Sequence, residues 1–95
     1  MTDRTPSPRY RVDLAPAVQR QLRHLPPADA ARLRGPILAL AREPRPPGVA
    51  KLAGSDFWRL RIGDLRIVHL IDERERLVVV LRVARRAEST YRRVQ

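Results

Sequence analysis

The sequence predicts an α+β fold of order β-α-α-β-β-β, an antiparallel twisted sheet with a two-helix hairpin packed on one face. Three observations predict it. Apolar residues recur at helical spacing through the first half, Val, Ile and Leu crowd into short runs after residue 56, and a Pro- and Gly-rich stretch without any sustained period, residues 44–56, separates the two regimes.

Residues 10–14, Tyr-Arg-Val-Asp-Leu, alternate so that Tyr10, Val12 and Leu14 share one side of a short strand. Pro16 suits a first helical position, where an N–H would go unused, and Val18, Leu22 and Leu25 repeat at helical spacing over residues 17–25. The pair Pro26-Pro27 ends that helix. Ala30, Leu33, Ile37, Leu40 and Ala41 mark a second amphipathic helix reaching the Glu43-Pro44 boundary. Gly35-Pro36 lies inside it and predicts a kink or break, because proline removes a donor and crowds the carbonyl one turn back. Residues 57–62, 65–71 and 77–83 then read as three consecutive strands. Gly63-Asp64 is a two-residue connection of the II′ kind, and residues 72–76 form a polar five-residue turn, which makes the three strands a meander.

Residues 1–95 read as a single domain, with residues 1–8 flexible; there is no repeat and no second composition regime. A chain this short buries only about 60–65% of the surface its unfolded form exposes, so one modest core is the ceiling. With 43% apolar and 32% charged residues it is too hydrophobic for a disordered tail. Its apolar runs, such as residues 77–81, fall far short of the roughly 20 residues that cross a bilayer, so no membrane partner is expected. The absence of cysteine removes disulfides, thiolate catalysis and cysteine metal sites, and neither a metal nor a cofactor is expected. Residues 1–8 are polar and lack a signal-like apolar stretch, which points to a cytoplasmic location.

Charge is the dominant signal. Lys and Arg number 20 against 10 Asp and Glu, a formal +10, and every cation except Lys51 is arginine. An anionic partner is expected, since the planar guanidinium fork matches phosphate in a bidentate fashion. A basic surface kept for solubility is the competing reading.

Alternation sorts the strand residues by face. Trp58, Leu60 and Ile62 oppose Phe57, Arg59 and Arg61. Leu65, Ile67, His69 and Ile71 oppose Arg66, Val68 and Leu70. Leu77, Val79, Leu81 and Val83 oppose Val78, Val80 and Arg82, and the sets headed by Trp58, Leu65 and Leu77 are assigned to the helices. The two-residue turn places Ile62 across from Leu65 and Arg61 across from Arg66. The five-residue turn pairs Ile71 with Leu77 and Arg66 with Arg82, which stands Arg61, Arg66 and Arg82 abreast with Arg59 one step along. Like charges so aligned are destabilising, which points to a phosphate site, with solvated arginines as the alternative. Residues 84–93 follow directly and can fold back over this surface, where Tyr91 can stack on a base, move a proton or simply pack the chain end.

The residues now assembled resemble the RelE/ParE toxin superfamily of type II toxin–antitoxin systems. Its carriers are Tyr-Arg-Val-Asp-Leu at 10–14 with Ala17, Leu25-Pro26, Gly48 with Lys51-Leu52-x-Gly54, the run from Trp58 to Val68, Ile71-Asp72, and Val83-Ala84-Arg85-Arg86 with Tyr91-Arg92. The resemblance implies a RelE-like messenger-RNA interferase, an endoribonuclease that works on the ribosome without a metal: the ribose 2′-hydroxyl attacks the adjacent phosphorus and basic residues stabilise the transition state. It assigns the chemistry to Arg59, Arg61, Arg66, Arg86 and Tyr91. Arg82 enters through the register as an RNA contact, Arg85 and Arg92 are expected as further RNA contacts, and Lys51 either touches RNA or tethers the loop. It implies as partners a cognate antitoxin, the ribosome and messenger RNA, in a hetero-oligomeric toxin–antitoxin complex.

Some relatives carry lysine where this chain has Arg59 and Arg61, and many carry histidine where it has Arg85. A guanidinium stays protonated across the physiological range and is a poor base. The general base is therefore open between Tyr91 and Glu88. Alternation turns His69 toward the helices, and His24 reads as a surface residue. Two other functions remain: a ParE-type poison of DNA gyrase working by protein binding, and a non-catalytic RNA-binding module.

Overall fold

A computed structural model describes residues 9–85. The elements are β1 (Arg11–Leu14), α1 (Pro16–His24), α2 (Pro27–Ala39), β2 (Ala50–Lys51), β3 (Phe57–Ile62), β4 (Leu65–Asp72) and β5 (Leu77–Arg85). They form one five-stranded sheet of order β1-β5-β4-β3-β2. The sheet is mixed rather than wholly antiparallel: β1 runs parallel to β5, and the other neighbours are antiparallel. The two helices and three long strands stand where periodicity puts them, and β2, only two residues long, is added inside the predicted loop.

Both helices open on proline, which supplies the right φ where a donor is not needed. Of the kink or break expected at Gly35-Pro36, the break does not occur. Pro36 lies within the last turn of α2, where it forfeits the single bond its position would have made to the Arg32 carbonyl, and the helix carries through to Ala39. It stops short of residue 43, because Leu40 and Ala41 turn tighter and bond to Ile37 and Leu38. The freed Ala41 carbonyl accepts from the amides of Arg9 and Tyr10, tying the start of β1 to the end of α2.

Val18, Leu33, Ile37 and Leu40 meet Leu60, Leu65, Ile67, Val78, Val80 and Val83 in one core on the helix side of the sheet. His69 is fully buried there; its Nε2 donates to the Pro44 carbonyl at 2.9 Å, pinning the loop after α2 to the sheet. Among the described residues no helix is long and apolar enough to cross a membrane.

The hairpin register is as expected at its first turn. Ile62 pairs with Leu65 and Arg61 with Arg66, and Gly63 takes the left-handed φ of +63° that the turn requires. The second turn is different. Asp72, not Ile71, pairs with Leu77, leaving a four-residue loop in which Arg76 adopts φ +52°. A bulge then shifts the β4–β5 register again between Val68 and His69, leaving Leu81 on β5 without a direct mate. Arg82 consequently pairs with Val68, and Arg66 with Ala84, so the predicted Arg66–Arg82 pairing is corrected. The predicted inward set of the last strand is corrected for the same reason. Val78 and Val80 are buried before the bulge and Val83 after it, while Leu77, Val79 and Leu81 are only half-buried.

Candidate nucleic-acid interface

The sheet face turned away from the helices carries the arginines in two neighbouring rows. Arg59, Val68 and Arg82 form one row across β3, β4 and β5, and Arg61, Arg66 and Ala84 form the next. Residues two apart on a strand are separated by about 6.6 Å and neighbouring strands by about 4.8 Å, so the four arginines spring from a patch of sheet about 12 Å across. The bulge is what keeps Arg82 here. Strict alternation from the buried Val80 would have turned Arg82 toward the core, and the extra residue returns it to the open face. Gln21 of α1 supports the distortion, its Oε1 accepting the Val83 amide at 2.8 Å.

Arg61 and Arg82 are exposed, and Arg59 and Arg66 half-buried. Among the described residues, none of Arg59, Arg61 and Arg82 has a carboxylate within ion-pair distance. Beside the two rows, Phe57, Leu70 and Val79 make an apolar row on the same face. The arrangement offers several donors to an extended polyanion over a lightly apolar floor, which suits a phosphate backbone with bases beside it.

The other expected contacts lie elsewhere. Lys51 pairs with Trp58 at the β2–β3 edge and sits 6.0 Å from its ring, opposite the arginine face, with Arg45 at 5.1 Å from the same ring. Arg85 pairs with the fully buried Leu65, so its side chain leaves on the helix side, where it meets Asp29 and Asp64. Arg86, Glu88, Tyr91 and Arg92 lie outside the described residues, as do residues 1–8.

Two histidines are removed from the chemistry by position. His69 is sealed in the core, where burial, aided by the Arg45 charge and opposed by the bond to Pro44, pushes its pKa down. Among the described residues its Nδ1 has no hydrogen-bond partner. His24 is exposed on α1, with Nδ1 at 2.8 Å from the Arg20 carbonyl. Near the sheet's opposite end, Tyr10 donates to Glu73 at 2.6 Å; that bond, and then Arg45, hold the Glu73 carboxyl below the ordinary range.

Sequence reasoning missed Gln21, Asp29, Arg32 and Asp64 as supports. Only the Asp29–Arg32 spacing, three residues apart on a helix, carried a local signal.

Comparison with known proteins agrees with the fold. The family model described as the ParE toxin of the type II toxin–antitoxin system parDE matches residues 12–90. The archaeal RelE–RelB complex from Pyrococcus horikoshii contains a chain 29% identical to this one, with a TM-score of 0.75, covering 84% of this chain and 98% of that one. The toxin–antitoxin complex RelBE2 from Mycobacterium tuberculosis gives 30% identity and a TM-score of 0.75 over 83% and 93%. A protein of Methanocaldococcus jannaschii named as a candidate RelE1 toxin is 27% identical over 88 residues, 88% of this chain and 97% of its own.

Proposed function

This chain belongs to the ParE toxin family of type II toxin–antitoxin systems, and from that premise we propose that it is a ribosome-dependent endoribonuclease that cuts messenger RNA. The observation that carries the reading is the pair of rows holding Arg59, Arg61, Arg66 and Arg82 on one open sheet face. In the reaction the 2′-oxygen of a ribose bonds to the adjacent phosphorus while the bond from phosphorus to the 5′-oxygen breaks. The 2′-hydroxyl proton passes to a base and the leaving oxygen takes one up. Charge builds on the non-bridging oxygens meanwhile, and preorganised guanidiniums are placed to meet it. Among residues outside the described range, Arg86 and Tyr91 complete the set, and Tyr91 and Glu88 are the candidates for moving protons.

A cognate antitoxin is the proposed protein partner, since the similar chains from Pyrococcus and Mycobacterium are each solved in a toxin–antitoxin complex. An apolar groove between the helices, floored by Leu22, Ala30 and Ile37 with Leu38 largely exposed at its rim, offers that partner a footing.

The matched family model bears the ParE name, and this supports a second reading, inhibition of DNA gyrase by protein binding. Primer extension on a reporter message after induction, comparing wild type with Arg66→Ala, decides between them. New ends confined to translated frames and lost in the variant are expected. An intact message in growth-arrested cells whose DNA synthesis stops first would move the assignment to gyrase.

A further inference from the structure

The ion pairs behind the sheet close into a ring. Arg32 gives one guanidinium nitrogen to Asp29 Oδ1 and the other to Asp64 Oδ1, each at 3.2 Å. Arg85 gives its two terminal nitrogens to the remaining oxygens, Asp29 Oδ2 and Asp64 Oδ2. Charges alternate around the circuit, each carboxylate uses both oxygens, and each guanidinium spans two acids. Three parts of the fold are joined: α2 through Asp29 and Arg32, the β3–β4 turn through Asp64, and the last residue of β5 through Arg85.

We propose that this ring is a latch that fixes the end of β5 against α2 and the β3–β4 turn, making Asp29 and Asp64 positioning residues for RNA cleavage through Arg66; the inference rests on the nuclease reading above. Isolated exposed ion pairs contribute little, but this set is not isolated. The Asp29 side chain is only 12% exposed, so it cannot lose its partners and simply turn to water. Arg32 also bonds the Ile62 carbonyl at 3.3 Å, fastening the ring to the backbone of the turn that presents Arg61 and Arg66.

The location of the ring gives it its role. Arg85 stands opposite Leu65, on the far side of the sheet from the arginine rows, and both its nitrogens are taken. It is thus turned away from the surface that would meet phosphate. Its neighbour Ala84 is the mate of Arg66, so the ring fixes the strand end beside that arginine.

The test uses the full-length protein with Asp29→Asn, with Arg85→Lys, which keeps the charge but loses the fork, and with the two combined. Single-turnover cleavage on programmed ribosomes gives a maximal rate and a half-saturating ribosome concentration. The latch predicts a maximal rate lowered about 10- to 100-fold in either single variant, with half-saturation unchanged, since small displacements of reacting groups cost rate at that scale. The double variant should fall no further than the worse single one, because both open the same ring. Amide hydrogen exchange should quicken at the end of β5 in each variant.

A raised half-saturation with Arg85→Lys that Asp29→Asn does not share would overturn the proposal in favour of direct RNA contact by Arg85. Unchanged maximal rates alongside lowered thermal stability would reduce the ring to a structural brace. Unchanged exchange at the end of β5 would sink the latch whether or not the protein cuts RNA. A wild-type protein that cuts no message overturns the nuclease reading itself, an outcome distinct from all three.

Discussion

Arg61 and Arg66 face each other directly across the β3–β4 hairpin, on the sheet face that the helices leave open. Two like charges in cross-strand register repel, so this pair lowers stability in exchange for local positive potential. Arg61→Gln is expected to raise the unfolding free energy by about 0.2–1 kcal/mol in urea denaturation. The same variant should cut messenger RNA about 100-fold more slowly, the scale seen when one preorganised transition-state donor is removed. A variant that loses both stability and activity would show that the pair is structural.

The turn joining the same two strands makes a second prediction. Gly63 sits at φ +63°, and a Cβ there would lie 2.5 Å from Arg32 Nη2. Gly63→Ala should therefore lose about 1–2 kcal/mol from backbone conformation alone. Because Arg32 must also move, the ring opens at one corner, and exchange at the end of β5 should quicken as it does in Asp29→Asn.

Gln21 gives a third. Gln21→Leu keeps the bulk but leaves the Val83 amide without its acceptor at the bulge. A loss of about 1 kcal/mol is expected. Hydrogen exchange at Val83 should rise selectively, and the orientation of Arg82, one residue back, should loosen. An unchanged Val83 amide would show that water substitutes for the side chain.

His69 makes stability depend on pH. Burial lowers its pKa in the folded protein, so the unfolded chain binds the extra proton first. Its contribution is full above the ordinary histidine value of about 6.5 and is lost as pH falls through that value toward the lower folded one. Denaturation midpoints should decline between about pH 7.5 and 5.5. His69→Gln, which can still donate to the Pro44 carbonyl, should flatten that slope. The carboxylates Asp64 and Glu73 do not confuse the window, because their folded values are lowered below the ordinary carboxylate range and their losses come at more acid pH. For Asp64, desolvation works upward and is outweighed by its backbone hydrogen bond, the Arg32 bond and the charges of Arg85 and Arg32.

The helices and the first hairpin were legible because their signals are local. Proline opens each helix, and Gly63 with Asp64 leaves one register for Arg61 and Arg66. What failed was equally physical. Val78, Val79, Val80 and Leu81 are all apolar, so alternation along β5 has no contrast to display, and the bulge beside Leu81 leaves no mark in the sequence. Arg76 in a left-handed conformation carries no glycine to announce the shorter turn. Arg82 was placed on the correct face but beside the wrong partner, because two errors, one from the turn and one from the bulge, compounded. The parallel pairing of β1 with β5 and the ring linking Asp29 to Arg85 join residues far apart in sequence, where no short-range pattern reaches.

The place of β5 in the sheet also governs when this protein can come into being. It lies between β1 and β4, and among the described residues β1 has no other neighbour. During synthesis the first strand must therefore wait, unpaired, for the last described one to emerge, and the buried Val18 of α1 waits with it for Val78 and Val80. Folding that depends on contacts between chain-distant segments is slow and comes late. A nascent chain halted before residue 77 carries Arg59, Arg61 and Arg66 but no completed sheet to hold them in register, so a half-made toxin displays the charges without the surface.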